Sequence, residues 1–267
     1  MHDLSHIRYL LTDVDDTLTT DGRLLPETLS ALYRLADAGI TVVPVTGGCA
    51  GWCDQMIRLW PIPAVIGENG AFYFHRDPQG HVALQSWDDP SLRAQRQQTL
   101  LTLAQAALCR VPDITLAKDQ SYRLADVALD YNQDVQGITS DQLQQVVSTF
   151  HQAGAQARVS SIHINAWFGD YSKQAMSERL LKERFGLDDE RIQQEVAYIG
   201  DSANDESMFA YLKHTFGVAN IHPWLPRMQA HPHEIMNRPG GYGFNELASR
   251  LCEAKAAQEQ GEPCRVD

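Results

Sequence analysis

The sequence predicts an α/β fold, a Rossmann-like parallel sheet with crossover helices, interrupted by an inserted α+β segment. Short apolar or β-branched runs at 7–12, 40–45 and 64–66 alternate with helical patterns over the first 70 residues. Each run ends in polar or glycine-rich residues. The rhythm stops near residue 76 and resumes after Gly169. Strand, helix, strand at this spacing calls for parallel pairing, because a parallel neighbour is reached only through a crossover connection.

The first strand, 7–12, runs directly into Asp13-Val14-Asp15-Asp16-Thr17. From 26 to 38, Leu29, Leu32, Tyr33 and Leu35 recur at helical spacing, with Pro26 suited to the first helical position and Gly39 to the stop. The second strand, 40–45, ends in Thr46-Gly47-Gly48, and a helical stretch follows through Trp60. The third, 64–66, ends in Gly67-Glu68-Asn69-Gly70. Residues 77–87 are polar and turn-rich. A long helical pattern covers 90–109, and 122–131 has strand character. A helix opened by the capping-box pair Thr139 and Gln142 runs to about His151, and 159–168 is strand-like again. Without the earlier alternation, these read as an inserted unit. Then come a helix over 173–185 stopped by Gly186, and a strand at 196–199 ending in Gly200-Asp201-Ser202-Ala203-Asn204-Asp205. A short helix at 206–212, a strand at 215–218, a final helix over 245–258 and a frayed tail at 261–267 complete the reading. The expected division is a core of residues 1–80 and 168–267, with an insert of 81–167.

Composition narrows the function classes. The chain has 267 residues, 43% of them hydrophobic, enough for a substantial core. No apolar run approaches the ~20 residues of a membrane helix. The opening Met1-His2-Asp3-Leu4-Ser5-His6 lacks the regions of a signal peptide. A soluble cytoplasmic protein, monomeric or a small homo-oligomer, is expected. The net charge of -12 argues against nucleic acid or an anionic membrane as partner. A small anionic substrate remains compatible, since a bound cation and a few donors reverse the field inside one pocket. Cys49 and Cys53 are four apart, but no second Cys/His pair at finger-like spacing accompanies them. They read as buried or half-buried thiols.

In open α/β sheets, sites lie beyond the C-terminal strand ends. Asp13 with Asp15, Thr46, Lys173, and Asp201 with Asn204 and Asp205 all fall at such ends or just inside a following helix. Asp13 and Asp15, two apart after a strand, would share a face in extended backbone. One carboxylate can act as nucleophile and form an aspartyl-phosphate. Its neighbour can protonate the leaving alkoxide and later deprotonate water. Crowded carboxylates repel, and hard oxygen ligands suit Mg2+, with Asp201 adding charge on the metal. Thr46 and the Gly47 and Gly48 amides would donate to phosphate at a helix N-terminus. Lys173 would bring positive charge to the nucleophile and phosphate. Asn204 would orient Lys173 or the phosphate, and Asp205 would hold a metal-bound water. Each motif alone has an ordinary structural reading as a solvated turn, cap or surface lysine. Four in order, each at the right end of its element, do not.

With these residues in view, the chain resembles the haloacid dehalogenase superfamily, most closely its Cof-type sugar-phosphatase branch. Asp-Val-Asp-Asp-Thr-Leu at 13–18 is similar to the first motif, Thr46 to the second, Lys173 to the third, and 200–205 to the fourth. Gly-Glu-Asn-Gly-Ala at 67–71 and the insertion after the third strand also fit that branch. The resemblance covers roughly 7–76 and 159–250. It implies Asp13 as nucleophile and magnesium ligand, and Asp15 as acid/base that binds metal through its carbonyl. It implies Thr46 and Lys173 as phosphate ligands and Asp201 as a magnesium ligand. The insert would be a cap that selects the leaving group. The substrate implied is a small phosphorylated metabolite, a sugar or glycoside as in the mannosyl-3-phosphoglycerate and sucrose-phosphate phosphatases.

Two departures stand out: Gly48 where many relatives have arginine, and Asp16 where they commonly have glycine. Arg123 or Arg158 from the insert would supply the missing cation. Tyr122, Ser160, Ser161, His163 and Asn165 are further contact candidates, each reading first as part of an exposed sheet face. The competing functions are phosphomannomutase-like phosphoryl transfer and a non-catalytic phosphosugar-binding regulator.

Overall fold

The structure is a computed structural model that describes residues 3–160 and 162–261, so Ser161 and the expected frayed tail beyond 261 lie outside the described residues. Five parallel strands form the central sheet, in the order Glu234–Ile235, His214–Gly217, Val196–Gly200, Tyr9–Thr12, Thr41–Pro44. The chain starts in the middle at Tyr9–Thr12, builds outward to one side, and later returns to build the other. The crevice between Tyr9–Thr12 and Val196–Gly200 is therefore the topological switch point, where such sheets bind ligands.

Alternation along the strands divides the core into two layers. Leu10, Val42, Ala197 and Ile199 face Leu32, Leu35, Phe244 and Leu247 from the helices Pro26–Asp37 and Gly240–Gly261. Leu11, Val43, Val196 and Tyr198 face Met176, Leu180 and Leu181 of the helix Lys173–Phe185. Both faces are covered, which is why the strands read as continuous apolar runs. Each fully buried leucine contributes roughly 1.5–3 kcal/mol.

Beyond Thr41–Pro44 the sheet continues through a single parallel bridge, Val45 to Ile66. Val45 N–H donates back to Thr12, and Thr46 N–H donates to Ile66. Pro44 has the same parity as Thr46 and no N–H to give, so the ladder cannot lengthen there. Ala64–Gly67 instead opens an antiparallel sheet with Phe72–Arg76 and Val82–Ser86.

The second large sheet, antiparallel, has the order Gln156–Val159, His163–Trp167, Val127–Asp130, Thr115–Leu116. Its inner face (Val127, Leu129, Ile164, Ala166) packs on Leu100, Ala104, Ala107, Val146 and Phe150 from the helices Pro90–Arg110 and Ser140–Gln152. Its other face carries Asp126, Asp130, His163, Asn165 and Trp167, and it is this polar face that meets the first sheet.

The turn-rich 77–87 segment contains the strand Val82–Ser86. Its signal is local only at the loop, where Asp77 caps a hairpin turn by accepting from Gln79 and His81 N–H; the strand itself is defined by its partner. The final helix begins at Gly240, not 245. Gly241 and Gly243 disguise it, yet a Cβ at those sites would lie 2.3 Å from Thr28 Oγ1 and 2.2 Å from the Arg238 carbonyl oxygen. The short helix Asp189–Glu195 and the hairpin Thr19–Thr20/Arg23–Leu24 were not expected. The Asp21-Gly22 pair, both at positive φ, is a hairpin signal that identifies the latter.

Candidate active site

Three strand ends place the chemistry. Asp13 follows Tyr9–Thr12 and its N–H donates to Ile199; Asp201 follows Val196–Gly200; Thr46 lies two residues past Thr41–Pro44. Because Tyr9–Thr12 pairs with both neighbours, Asp13 stands between Asp201 and Thr46. The carboxylates of Asp13, Asp201 and Asp205 are buried, with oxygens within 4.8 Å of one another. Asp15 is not in that group. The chain leaves the extended conformation after Val14, whose carbonyl closes the turn by accepting from Thr17, Leu18 and Thr19 N–H. Asp15 therefore does not share a strand face with Asp13, and its side chain is half-buried at the mouth of the turn. Asp16 takes φ +56, a left-handed conformation that aspartate tolerates better than most residues.

Lys173 is buried at the first position of its helix. Its ammonium donates to Asp13 Oδ1 at 2.6 Å and to Asp205 Oδ1 at 2.7 Å. Ser172 caps that helix by accepting from Ala175 N–H. Gly70 packs on the turn before it, where a Cβ would lie 2.2 Å from the Ser172 carbonyl oxygen. Asp205 engages protein donors with both oxygens. Oδ1 accepts from Lys173 and from the Tyr198 hydroxyl (2.5 Å), and Oδ2 accepts from Asp201 N–H (3.0 Å) and Ser202 N–H (3.3 Å). Asp205, not Asn204, orients Lys173; the Asn204 side-chain Oδ1 accepts from Ser202 Oγ. Gly200 permits this closeness, since a Cβ there would lie 2.4 Å from Asp205 Oδ2.

Three carboxylates against one ammonium leave a formal excess of two negative charges. Burial, then repulsion from neighbouring carboxylates, holds the Asp201 carboxyl well above its ordinary range. Burial also raises Asp13, with Lys173 opposing. An all-oxygen, over-negative, buried set is what a hard divalent cation such as Mg2+ satisfies, so these residues fit that ion. Asp15 is raised to about 6, mainly by burial and then by Asp16.

At the second strand end, Thr46 is buried, and its Oγ1 accepts from Gly48 N–H at 2.9 Å. The Gly48 amide is thus engaged within the loop. Among the described residues, the Thr46 hydroxyl hydrogen and the Gly47 N–H have no acceptor. A cavity of about 530 Å³, lined by Asn69, Arg158, Trp167, Tyr171, Lys173 and Asn204, reaches the site at Lys173; Asp13, Thr46 and Gly47 do not line it.

The insert's residues differ from expectation. Arg123, His163 and Asn165 are buried, not an exposed sheet face; Tyr122 is exposed. The Arg123 guanidinium is committed to Gly47 O (3.0 Å), Asp126 (2.9 Å) and Asp119 (3.1 Å), so it is not a free cation for substrate. Asn165 donates to Asp126 at 2.9 Å. Burial and the Arg123 charge push the His163 imidazole down. Three residues at the site had no role assigned from sequence. Tyr198 lies within a strand that reads as plain core. Asn220 donates to Asp201 Oδ2 (3.1 Å) and to the Asp16 carbonyl (3.0 Å) from the short 3-10 turn Ala219–Ile221, which carries no motif. Glu68 carries a buried carboxylate; its strand-end position and its place in Gly-Glu-Asn-Gly-Ala were the available signals.

No protein-family model matches the chain, and no curated protein matches it in sequence. Solved structures do resemble it. A Thermoplasma acidophilum protein aligns with TM-score 0.71 at 19% identity, over 93% of this chain and 99% of that one. The sucrose-phosphatase of Synechocystis, solved with sucrose and phosphate, aligns with TM-score 0.64 at 14% identity, over 92% and 98%. A haloacid dehalogenase-like hydrolase from B. subtilis aligns with TM-score 0.63 at 18% identity, over 92% and 100%. The fold is that of the haloacid dehalogenase-like hydrolases, of the Cof and sucrose-phosphatase type. At these identities it is the fold that is shared. Among the described residues no helix is long and apolar enough to cross a membrane.

Proposed function

We propose that the chain is a phosphomonoester hydrolase that works through an aspartyl-phosphate on Asp13. The observation carrying this reading is the buried triad of Asp13, Lys173 and Asp205 beside Asp201 at the switch point of a parallel sheet. Lys173 fixes the Asp13 carboxylate and offsets its repulsion of an incoming phosphoryl group. The Asp13–phosphorus bond forms as the ester bond breaks, and Asp15, raised to about 6 and so partly protonated near neutrality, gives its proton to the leaving oxygen. Asp15 then takes a proton from water as it attacks phosphorus, and Asp13 is released. Thr46 O–H and Gly47 N–H donate to the phosphoryl oxygens, and Asn204 lines the same cavity as Lys173. Asp13, Asp201 and the Asp15 carbonyl, with Asp205 in the same carboxylate group, would hold magnesium, which would supply charge neutralisation and orientation of the phosphoryl group.

The leaving group belongs in the cavity beneath residues 81–167, which act as a cap over the core of 1–80 and 168–267. Its wall of stacked Trp167 and Tyr171 rings, with Gln156, Arg158 and Asn204, supports a phosphorylated sugar or glycoside of the cytoplasm as substrate. A phosphate-release screen over sugar phosphates, phosphoglycosides and nucleotides, with and without magnesium, tests the reading. Release from no phosphomonoester in magnesium overturns it.

A further inference from the structure

The Thr46–Gly48 loop has all three carbonyls tied down. Thr46 O accepts from Asn69 N–H at 3.0 Å, Gly48 O from Glu68 N–H at 3.1 Å, and Gly47 O from the Arg123 guanidinium at 3.0 Å. Two of these donors belong to consecutive non-glycine residues at positive φ, Glu68 (+45) and Asn69 (+57), a conformation costing of order 1–3 kcal/mol each. The third comes from the insert. With its carbonyls drawn toward these donors, the loop keeps Thr46 O–H and Gly47 N–H for an anion.

Glu68 supports both sides of this arrangement. Its buried carboxylate accepts from Ala50 N–H (3.1 Å), at the start of the helix after the loop. It also accepts from Leu124 (2.9 Å), Ala125 (2.7 Å) and Asp126 (3.1 Å) N–H. Those three residues directly follow Arg123. A buried carboxylate is thus clamped between the core and the insert by four main-chain donors, and the clamp sets where Arg123 stands. Asp126 completes it by receiving Arg123 through both oxygens, at 2.9 and 3.0 Å.

We propose that Glu68 and Arg123 are positioning residues for the phosphate loop, acting through the Gly47 carbonyl and not by contact with the substrate. The proposal rests on the phosphatase reading. It assigns to the insert a fixed role in phosphate binding beside any role in choosing the leaving group.

The test is titration calorimetry of the full chain in magnesium, with inorganic phosphate as the probe and magnesium affinity measured alongside. Arg123→Lys keeps the buried charge but loses the planar fork whose Nε and Nη2 donate to Asp119 (3.2 and 3.1 Å) and so hold Nη1 on Gly47 O and Asp126. Glu68→Gln keeps the shape and turns a donor toward the amides. Each is expected to weaken phosphate binding roughly tenfold while magnesium affinity stays at the wild-type value. If either single variant does not fold, Arg123→Met with Asp126→Asn removes the ion pair as a unit and leaves the Glu68 carboxylate to its four main-chain donors. Folded variants that bind phosphate like the wild type overturn the inference, as does parallel loss of phosphate and magnesium, which marks a general structural role. A wild-type chain that binds no phosphate in magnesium overturns the phosphatase reading itself.

Discussion

Replacing Lys173 by methionine removes one charge from the centre of the site and keeps most of the side-chain volume. In the wild type the ammonium sits 2.6 Å from Asp13 and 2.7 Å from Asp205, with all three groups buried. Breaking a buried pair by deleting one partner costs about 3–5 kcal/mol, because the surviving charge is left uncompensated. At about 2–4 °C per kcal/mol for a chain of this size, Lys173→Met should lower Tm by roughly 10 °C in EDTA at pH 8. At pH 5 the loss should shrink, since carboxyls raised by burial take up protons and no longer need the counter-charge. Adding Asp13→Asn to Lys173→Met should recover part of the loss. Scanning calorimetry of the four proteins, from wild type to double variant, at both pH values reads all of this. A Tm within about 2 °C of wild type at pH 8 would refute the reasoning, because the ammonium would then not be compensating the cluster. In the proposed reaction the same variant should lose at least about 100-fold in kcat.

Asp13→Asn should abolish phosphate release while leaving Tm in magnesium-free buffer unchanged or higher, since it relieves repulsion; retained turnover removes the nucleophile assignment. Gly70→Ala should displace the Ser172–Lys173 turn, because φ is +109 there and the new methyl would meet the Ser172 carbonyl at 2.2 Å. A loss of at least about 2 kcal/mol in denaturant midpoint stability is expected, and a neutral result contradicts the packing. Asp13, Asp15 and Asp201 all lie above the ordinary 3.8, first through burial. A carboxyl raised on folding favours the folded state fully below 3.8, and that contribution disappears as pH rises through the folded value, about 6 for Asp15. Metal-free protein should therefore lose Tm from pH 5 to 8, and magnesium should flatten the curve; equal slopes with and without the ion argue against a metal at these residues.

The chain itself carries the strand ends that bear Asp13, Thr46 and Asp201, and the helix that opens on Lys173, because period, caps and glycine stops are local properties. The bounds of Lys173–Phe185 and its stop at Gly186, φ +65, follow from such signals. Val82–Ser86 was not legible, since a strand with mixed polarity is defined by the neighbour that hydrogen-bonds to it. The Gly240–Gly261 helix hid its start for a related reason: its glycines serve close packing against Leu18 and Thr28, which no local propensity encodes.

At the candidate site, residue types and order pointed to the proposed chemistry, and distances show which side chains meet. Sequence reading offers Asn204 as the partner of Lys173 and Asp205 for a metal-bound water, and only the turn after Val196–Gly200 shows Asp205 holding both Lys173 and Tyr198. Arg123 reads as a spare cation by composition. Tertiary structure buries it against Asp126, Asp119 and the Gly47 carbonyl, a commitment made by residues 76 positions apart. Charge and residue type are written in the sequence; which charges face one another in low dielectric is decided only when the sheet and the insert close over them.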